Sequence, residues 1–188
     1  MTLISIPVLM TPAENHQPTR ILGVDPGLNI TGYAVLEVQD HCPKVCEAGI
    51  LRGLSGRPKP DMAIRIRHLY DSIVEVLDQF RPQSMVVEQL FAHYQHPRTA
   101  ILMAHVRGVI LLAAAQRGVA TYSLSATTIK KTITGSGRAP KPQIQRVVQH
   151  ELRLARIPEP PDVADALAVA LCQYYRMRNA KIGPRKIV

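Results

Sequence analysis

The chain has 188 residues, 46% of them hydrophobic and 20% charged, which excludes a disordered polymer and allows one domain with its own core. Lys and Arg number 23 against 14 Asp and Glu, and the formal charge of +9 suits a polyanionic partner such as nucleic acid, or merely aids solubility. Three cysteines, Cys42, Cys46 and Cys172, are an odd and insufficient number for a disulfide framework, in keeping with a reducing cytoplasmic setting.

Residues 1–19 read as an extension outside the fold. Leu3 to Met10 is apolar, but no basic residue precedes it and Pro7 interrupts it, so it does not read as a secretory signal. The domain is expected over residues 20–180. Ile21 to Asp25 is a short apolar strand running into an Asp-Pro-Gly turn. Thr31 to Val38 is a second strand, Gln39 to Pro43 carries turn residues, and Val45 to Leu51 is a third strand. Their short connections predict an antiparallel meander. His41, Cys42 and Cys46 suggest a metal knuckle, but no second pair with suitable spacing follows, and a loop beside a strand is the better reading.

Gly53 to Pro60 is a loop, after which Met62, Ile66, Leu69, Ile73, Leu77 and Phe80 recur at helical steps, with Arg65, Arg67, Asp71 and Glu75 between them. Pro82 ends this helix and Ser84 to Glu88 follows as a short buried strand. Arg98 to Arg117 is a second long helix, so apolar that it is expected to be largely buried. Its longest uninterrupted apolar stretch, Gly108 to Ala115, falls far short of the ~20 residues of a membrane span. Ala120 to Leu124 is the fifth strand, and Ser125 can cap a short helix to Ile133. A basic, Gly-rich loop over Gly135 to Pro140 precedes an amphipathic helix marked by Ile144, Val147, Val148 and Leu152. Three prolines, Pro158, Pro160 and Pro161, then lead into a last helix from Asp162 to about Arg178, and residues 181–188 form a basic tail. The order β-β-β-α-β-α-β-α-α-α predicts an α/β domain, a five-stranded mixed sheet of three antiparallel strands then two parallel ones, with helices on both faces.

Four acids stand out, and each has an ordinary explanation when taken singly. Asp25 opens a good Asp-Pro-Gly turn, yet it ends a strand apolar on both sides, where α/β folds place their sites. Glu88 sits in an apolar strand, so it is either partly exposed at the strand end or desolvated and held by a partner. Asp162 is a natural N-cap and Asp165, three residues on, falls near N3, where acids favour the helix dipole. The neighbours of this pair are apolar, which would turn Asp165 back toward the strand ends.

Together the four are more telling, since they come from two strand ends and one helix start inside a basic protein. Carboxylates meeting there would repel one another unless cations intervened, and two Mg²⁺ ions ~4 Å apart are what phosphodiester hydrolysis uses.

These residues match a known pattern. Ile21-Leu22-Gly23-Val24-Asp25-Pro26-Gly27 with Thr31-Gly32-Tyr33 behind it, Glu88-Gln89-Leu90-Phe91, Arg107-Gly108-Val109, and Asp162-Val163-Ala164-Asp165-Ala166-Leu167-Ala168 resemble, in order, the motifs of RuvC-type Holliday-junction resolvases. The resemblance runs from about Arg20 to about Tyr174. It implies an RNase H-like fold, a homodimer, four-way junction DNA as substrate, and paired symmetric nicks leaving 5′-phosphate and 3′-hydroxyl ends. It also implies two Mg²⁺, with Mn²⁺ as a substitute, held by Asp25, Glu88, Asp162 and Asp165, with Asp25 bridging the pair. Phe91 inherits the role of an aromatic wedge. Lys130 and Lys141 inherit DNA contacts, and Lys141 supports catalysis. Arg138 extends the positive segment, and a branch-migration motor of the RuvA–RuvB type is the implied partner. Where relatives carry a lysine-asparagine pair after the phenylalanine, this chain reads Ala92-His93-Tyr94-Gln95-His96-Pro97, so His93, Tyr94 or His96 stands in for the usual junction contacts.

The rival readings are another RNase H-like nuclease acting on RNA–DNA hybrids or on RNA, an actin-like kinase or ATPase, and a junction-binding module without catalysis. The second needs a duplicated domain, and the third would not keep four acids.

Overall fold

A computed structural model describes residues 18–58, 60–90 and 97–179. The expectations for residues 1–17 and for the tail from residue 181 lie outside the described residues, as do those for Phe91, His93, Tyr94 and His96. The elements run β1 (Thr19–Asp25), β2 (Ile30–Gln39), β3 (Cys42–Arg52), α1 (Met62–Phe80), β4 (Ser84–Glu88), α2 (Pro97–Gln116), β5 (Ala120–Leu124), α3 (Ala126–Thr134), α4 (Lys141–Glu151) and α5 (Pro161–Arg178).

The strands form one sheet in the order β3-β2-β1-β4-β5. β1 pairs antiparallel with β2 and parallel with β4, which in turn pairs parallel with β5. This is the mixed sheet expected. The β2–β3 hairpin is tighter than its turn residues suggested. Asp40 and His41 alone make the turn, both at positive φ, the geometry whose twist matches that of the flanking strands. Pairing therefore continues to Gln39 and Cys42, and Pro43 is tolerated because β3 is an edge strand. Cys42 and Cys46 are free and exposed on that edge.

Alternation along β1 and β4 divides the core. Ile21 and Val86 face α3, α4 and α5, whereas Leu22, Val24, Met85 and Val87 face α1 and α2. Each such fully buried aliphatic side chain contributes about 1.5–3 kcal/mol. On the first face α5 lies unusually close. A Cβ at Gly23 would stand 2.4 Å from the Ala166 carbonyl oxygen, and one at Gly32 would stand 2.1 Å from that of Asp162. Two glycines inside strands thus let the final helix press on the sheet at the height of its first three turns.

Helix α1 begins at Asp61, whose side chain accepts from the Ala63 amide, and ends at Arg81 in the left-handed region just before Pro82. Arg65 departs from its expected place among the polar residues. It is 4% exposed and donates through Nη2 to Asn29 Oδ1 at 2.8 Å, beside the β1–β2 turn.

Helix α2 also departs from expectation. It buries Val106, Ile110, Ala113 and Ala114, but Ile101 is 59% and Leu112 51% exposed. One side packs on α1 and the sheet and the opposite, equally apolar side has no cover within the described residues. Counted as a whole helix, Arg98–Gln116 is long and apolar enough to cross a membrane, despite the short uninterrupted run. Its midpoint nevertheless carries Arg107, which donates to the Ser123 hydroxyl on β5.

Candidate active site at the strand ends

Val24 pairs with Val87 across the parallel β1–β4 ladder, so the next residues, Asp25 and Glu88, end adjacent strands side by side. The period of two gives both carboxylates the α5 face. The sheet is central there and its apolar residues are buried, so both acids stand in a desolvated setting.

Helix α5 supplies the other two acids, and the capping explanation does not hold for either. The N-cap is Pro160, with no side-chain capping bond, and Pro161 is the first helical residue. Proline suits that position because its missing N–H would be unpaired there anyway. Asp162 is thus already inside the first turn and Asp165 lies a turn further along the same face. Asp162 is held against the sheet by Gly32, where no side chain intervenes.

A cavity of about 210 Å³ gathers Asp25, Glu88, Asp165, Lys130 and Lys141 over an apolar floor of Ala126, Ile129, Ile144 and Ala168. Lys130 comes from α3 and Lys141 opens α4. Lys141 Nζ lies 2.9 Å from Asp165 Oδ2. Among the described residues no hydrogen bond or ion pair engages the side chains of Asp25, Glu88 or Asp162.

The electrostatics follow from this crowding. Burial first, then Glu88, Asp165 and Asp162, push the Asp25 carboxyl up to about 7, and Lys141 only partly counters them. Burial and Asp165 likewise raise Glu88, against Lys130 and Lys141. The hydrogen bond and charge of Asp165 raise Lys141. Among the described residues no three His, Cys, Asp or Glu side chains are already drawn together as a metal cage.

All four acids are thus brought to one end of the sheet, with Lys130 and Lys141 beside them. Arg138 is exposed on the loop before α4 and lines neither this cavity nor its neighbour. Phe91 lies outside the described residues. What sequence reasoning missed are the residues that shape the site without touching a substrate. Gly23 and Gly32 seat α5. Thr31 Oγ1 and Arg65 tie down the turn after Asp25, at Gly27 and Asn29 respectively. An isolated glycine within an apolar strand was the available signal for the first two.

Comparison with known proteins agrees with this geometry. The family model described as crossover junction endodeoxyribonuclease RuvC matches residues 21–173. A crossover junction endodeoxyribonuclease RuvC from Rhodopirellula baltica is 48% identical over 161 residues, covering 85% of this chain and 88% of the relative. One from Pelotomaculum thermopropionicum is 40% identical over 152 residues, covering 81% and 90%. Among solved structures, Thermus thermophilus RuvC in complex with a Holliday junction substrate superposes with a TM-score of 0.79 at 27% identity, covering 89% of this chain and 99% of that one.

Proposed function

The chain belongs to the RuvC family of crossover junction endodeoxyribonucleases, which are metal-dependent nucleases, and on that premise we propose that it resolves four-way DNA junctions in recombination and repair. It does so by paired symmetric nicks that leave 5′-phosphate and 3′-hydroxyl ends. One observation carries the reading at the level of chemistry: Asp25 and Glu88 on adjacent strand ends share a cavity with Asp165, Lys130 and Lys141.

The donor set fits hard divalent cations, since it offers carboxylate oxygens only and three of its four acids have no partner among the described residues. Asp25, Glu88, Asp162 and Asp165 would hold two Mg²⁺, with Mn²⁺ as a substitute. Bound there, the ions supply an activated water and neutralise charge on the reacting phosphate. The protein's own groups do the rest. Asp25, crowded by the other three acids, is the centre of the negative charge that recruits cations. Lys141 holds Asp165 within the cavity and offers its ammonium to a phosphate oxygen once a cation relieves it. Lys130, on the cavity wall, and Arg138, on the exposed loop, contact the DNA backbone and give sequence-independent affinity that falls steeply with salt.

The enzyme acts as a homodimer, because a four-way junction has two equivalent strands to cut and one chain carries one site. The uncovered side of α2 supports this. Ile101, Ala104, Gly108, Leu112 and Ala115 line it at helical spacing. Among the described residues a Cβ at Gly108 would meet nothing within 4 Å, so none of them requires glycine there, whereas a closely packed second helix would. The enzyme works in the cytoplasm, away from membranes, and hands over from a branch-migration motor of the RuvA–RuvB type.

The decisive experiment incubates the purified protein with a synthetic four-way junction with and without Mg²⁺, beside an RNA–DNA hybrid duplex. Symmetric, Mg²⁺-dependent cutting of the junction alone is expected, with Asp25→Asn binding the junction and leaving it intact. Preferential cutting of the hybrid would assign the site to a different nuclease of this fold.

A further inference from the structure

Pro26 to Asn29 form the turn between β1 and β2, and three other segments grip it. The Thr31 hydroxyl donates to the Gly27 carbonyl at 2.7 Å and accepts from the Gly27 amide at 3.1 Å. Gly53, just past β3, donates its amide to the Asn29 carbonyl at 2.8 Å, and a Cβ there would stand 2.1 Å from the Leu28 carbonyl oxygen. From α1, Arg65 Nη2 reaches Asn29 Oδ1 at 2.8 Å and the Leu28 carbonyl at 3.4 Å.

Arg65 is an expensive residue for the fold to keep. Its guanidinium is buried, its Nε has no hydrogen-bond partner, and among the described residues no acid pairs with it. An apolar side chain of similar volume would avoid that desolvation, and such replacements of buried charge are often neutral or stabilising. The guanidinium therefore serves something other than packing. The charges that act on Asp25 belong to Glu88, Asp165, Asp162 and Lys141, so the route from Arg65 to the site is mechanical. Arg65 holds the turn.

The turn in turn governs two of the acids. Asp25 immediately precedes it and pairs with Gly32 in the β1–β2 register. Gly32 bears the start of α5, because a Cβ there would stand 2.1 Å from the Asp162 carbonyl oxygen. A displaced turn is thus passed to Asp25 along the chain and to Asp162 through Gly32. Resting on the nuclease reading above, we propose that Arg65 is a positioning residue for the divalent cations: by clamping Asn29 it fixes Asp25 relative to Asp162 and sets the affinity for metal. Carboxylates that repel one another spread when their support is loose, so the support must be rigid before a cation arrives. Groups standing behind metal ligands commonly account for about 10–100-fold in affinity or activity.

Mn²⁺ binding, followed by electron paramagnetic resonance without DNA, tests the clamp. Arg65→Met and Asn29→Ala should each weaken binding about tenfold or more, and the Mg²⁺ concentration for half-maximal junction cleavage should rise in step. Asn29→Asp keeps an oxygen for Nη2 and should bind Mn²⁺ at least as tightly as the wild type. In chelator, Arg65→Met should melt no lower than the wild type, the opposite of what a purely structural arginine predicts. The double variant should bind Mn²⁺ no more weakly than the weaker single one, because both changes remove the same contact. Wild-type Mn²⁺ affinity in both single variants overturns the proposal, and so do losses that add in the double variant. Should Arg65→Met fail to fold, unchanged Mn²⁺ affinity in Asn29→Ala, an exposed position, overturns it alone. A wild type that binds no Mn²⁺ and leaves every junction uncut sinks the nuclease reading with it, whereas variants that match a metal-binding, junction-cutting wild type sink only the clamp.

Discussion

The ammonium of Lys141 lies 2.9 Å from the Asp165 carboxylate, joining the start of α4 to the first turns of α5 across the mouth of the acid-lined cavity. Lys141 is two-thirds exposed and Asp165 one-fifth, so the pair adds little to stability and its weight falls on the site. Replacing Lys141 with Met should slow cleavage by about 10²-fold at saturating Mg²⁺, the usual consequence of losing one cation aimed at developing negative charge. Melting temperature and junction affinity should move little. Single-turnover rates beside a binding titration give the answer, and an unchanged rate would reduce the contact to a surface ion pair.

Asp25 makes the metal-free protein sensitive to pH. Its carboxyl is raised from the ordinary 3.8 to about 7 in the folded state, so between those values the native chain binds more protons than the unfolded one. Stability is accordingly greatest below about 4 with respect to this group and falls as pH rises toward 7. The loss is capped at about 4 kcal/mol. Asp25→Asn removes the titration. In chelator, that variant should melt several degrees above the wild type at pH 8 and close to it at pH 4. Mg²⁺ should raise the wild-type melting temperature at pH 8 far more than that of the variant. Superimposable melting curves across the range would contradict the assignment of a strained acid to Asp25.

Gly32 couples the sheet to the position of Asp162. A methyl group at this residue would stand 2.1 Å from the Asp162 carbonyl oxygen, so α5 must lift at its first turn. Gly32→Ala should destabilise the fold by about 1–3 kcal/mol, the usual cost of overpacking. It should also lower cleavage under conditions where the variant remains folded, because the displaced helix carries two of the four acids. Urea midpoints and rates measured on the same preparation separate the effects, and full activity in a destabilised variant would detach Gly32 from the site.

The outward side of α2 bears on assembly. Leu112→Glu places a charge on an apolar position that is half-exposed among the described residues. Sedimentation should shift from dimer to monomer, with the melting temperature of the isolated fold barely altered and paired nicks giving way to single ones. A variant that sediments as the wild type does would move the dimer contact elsewhere.

Much of this was legible in local pattern. Helices α1 and α4 follow from a period of three to four residues, because burial of one face imposes that period on the residues that line it, whereas β1, β4 and α2 were legible as apolar runs bounded by turn residues. The placement of Asp25 and Glu88 at strand ends could be read directly. Asp162 and Asp165 were less clear, since acids at a helix start look alike whether they cap or wait for a cation, and the structure takes away only the N-cap role, which falls to Pro160. Arg65 was misplaced among the solvent-facing residues because its burial depends on a turn 36 residues earlier in the chain.

What the amino-acid order determined by itself was the set of elements, the basic balance and the identity of the four acids, all of which depend on neighbours within a turn or a strand. Only the tertiary structure decided that α5 presses against Gly23 and Gly32, that Lys141 meets Asp165, and that the described residues leave one side of α2 uncovered. Those relations arise between segments far apart in the chain, where the packing of helices on a sheet, rather than any local preference, sets the distances.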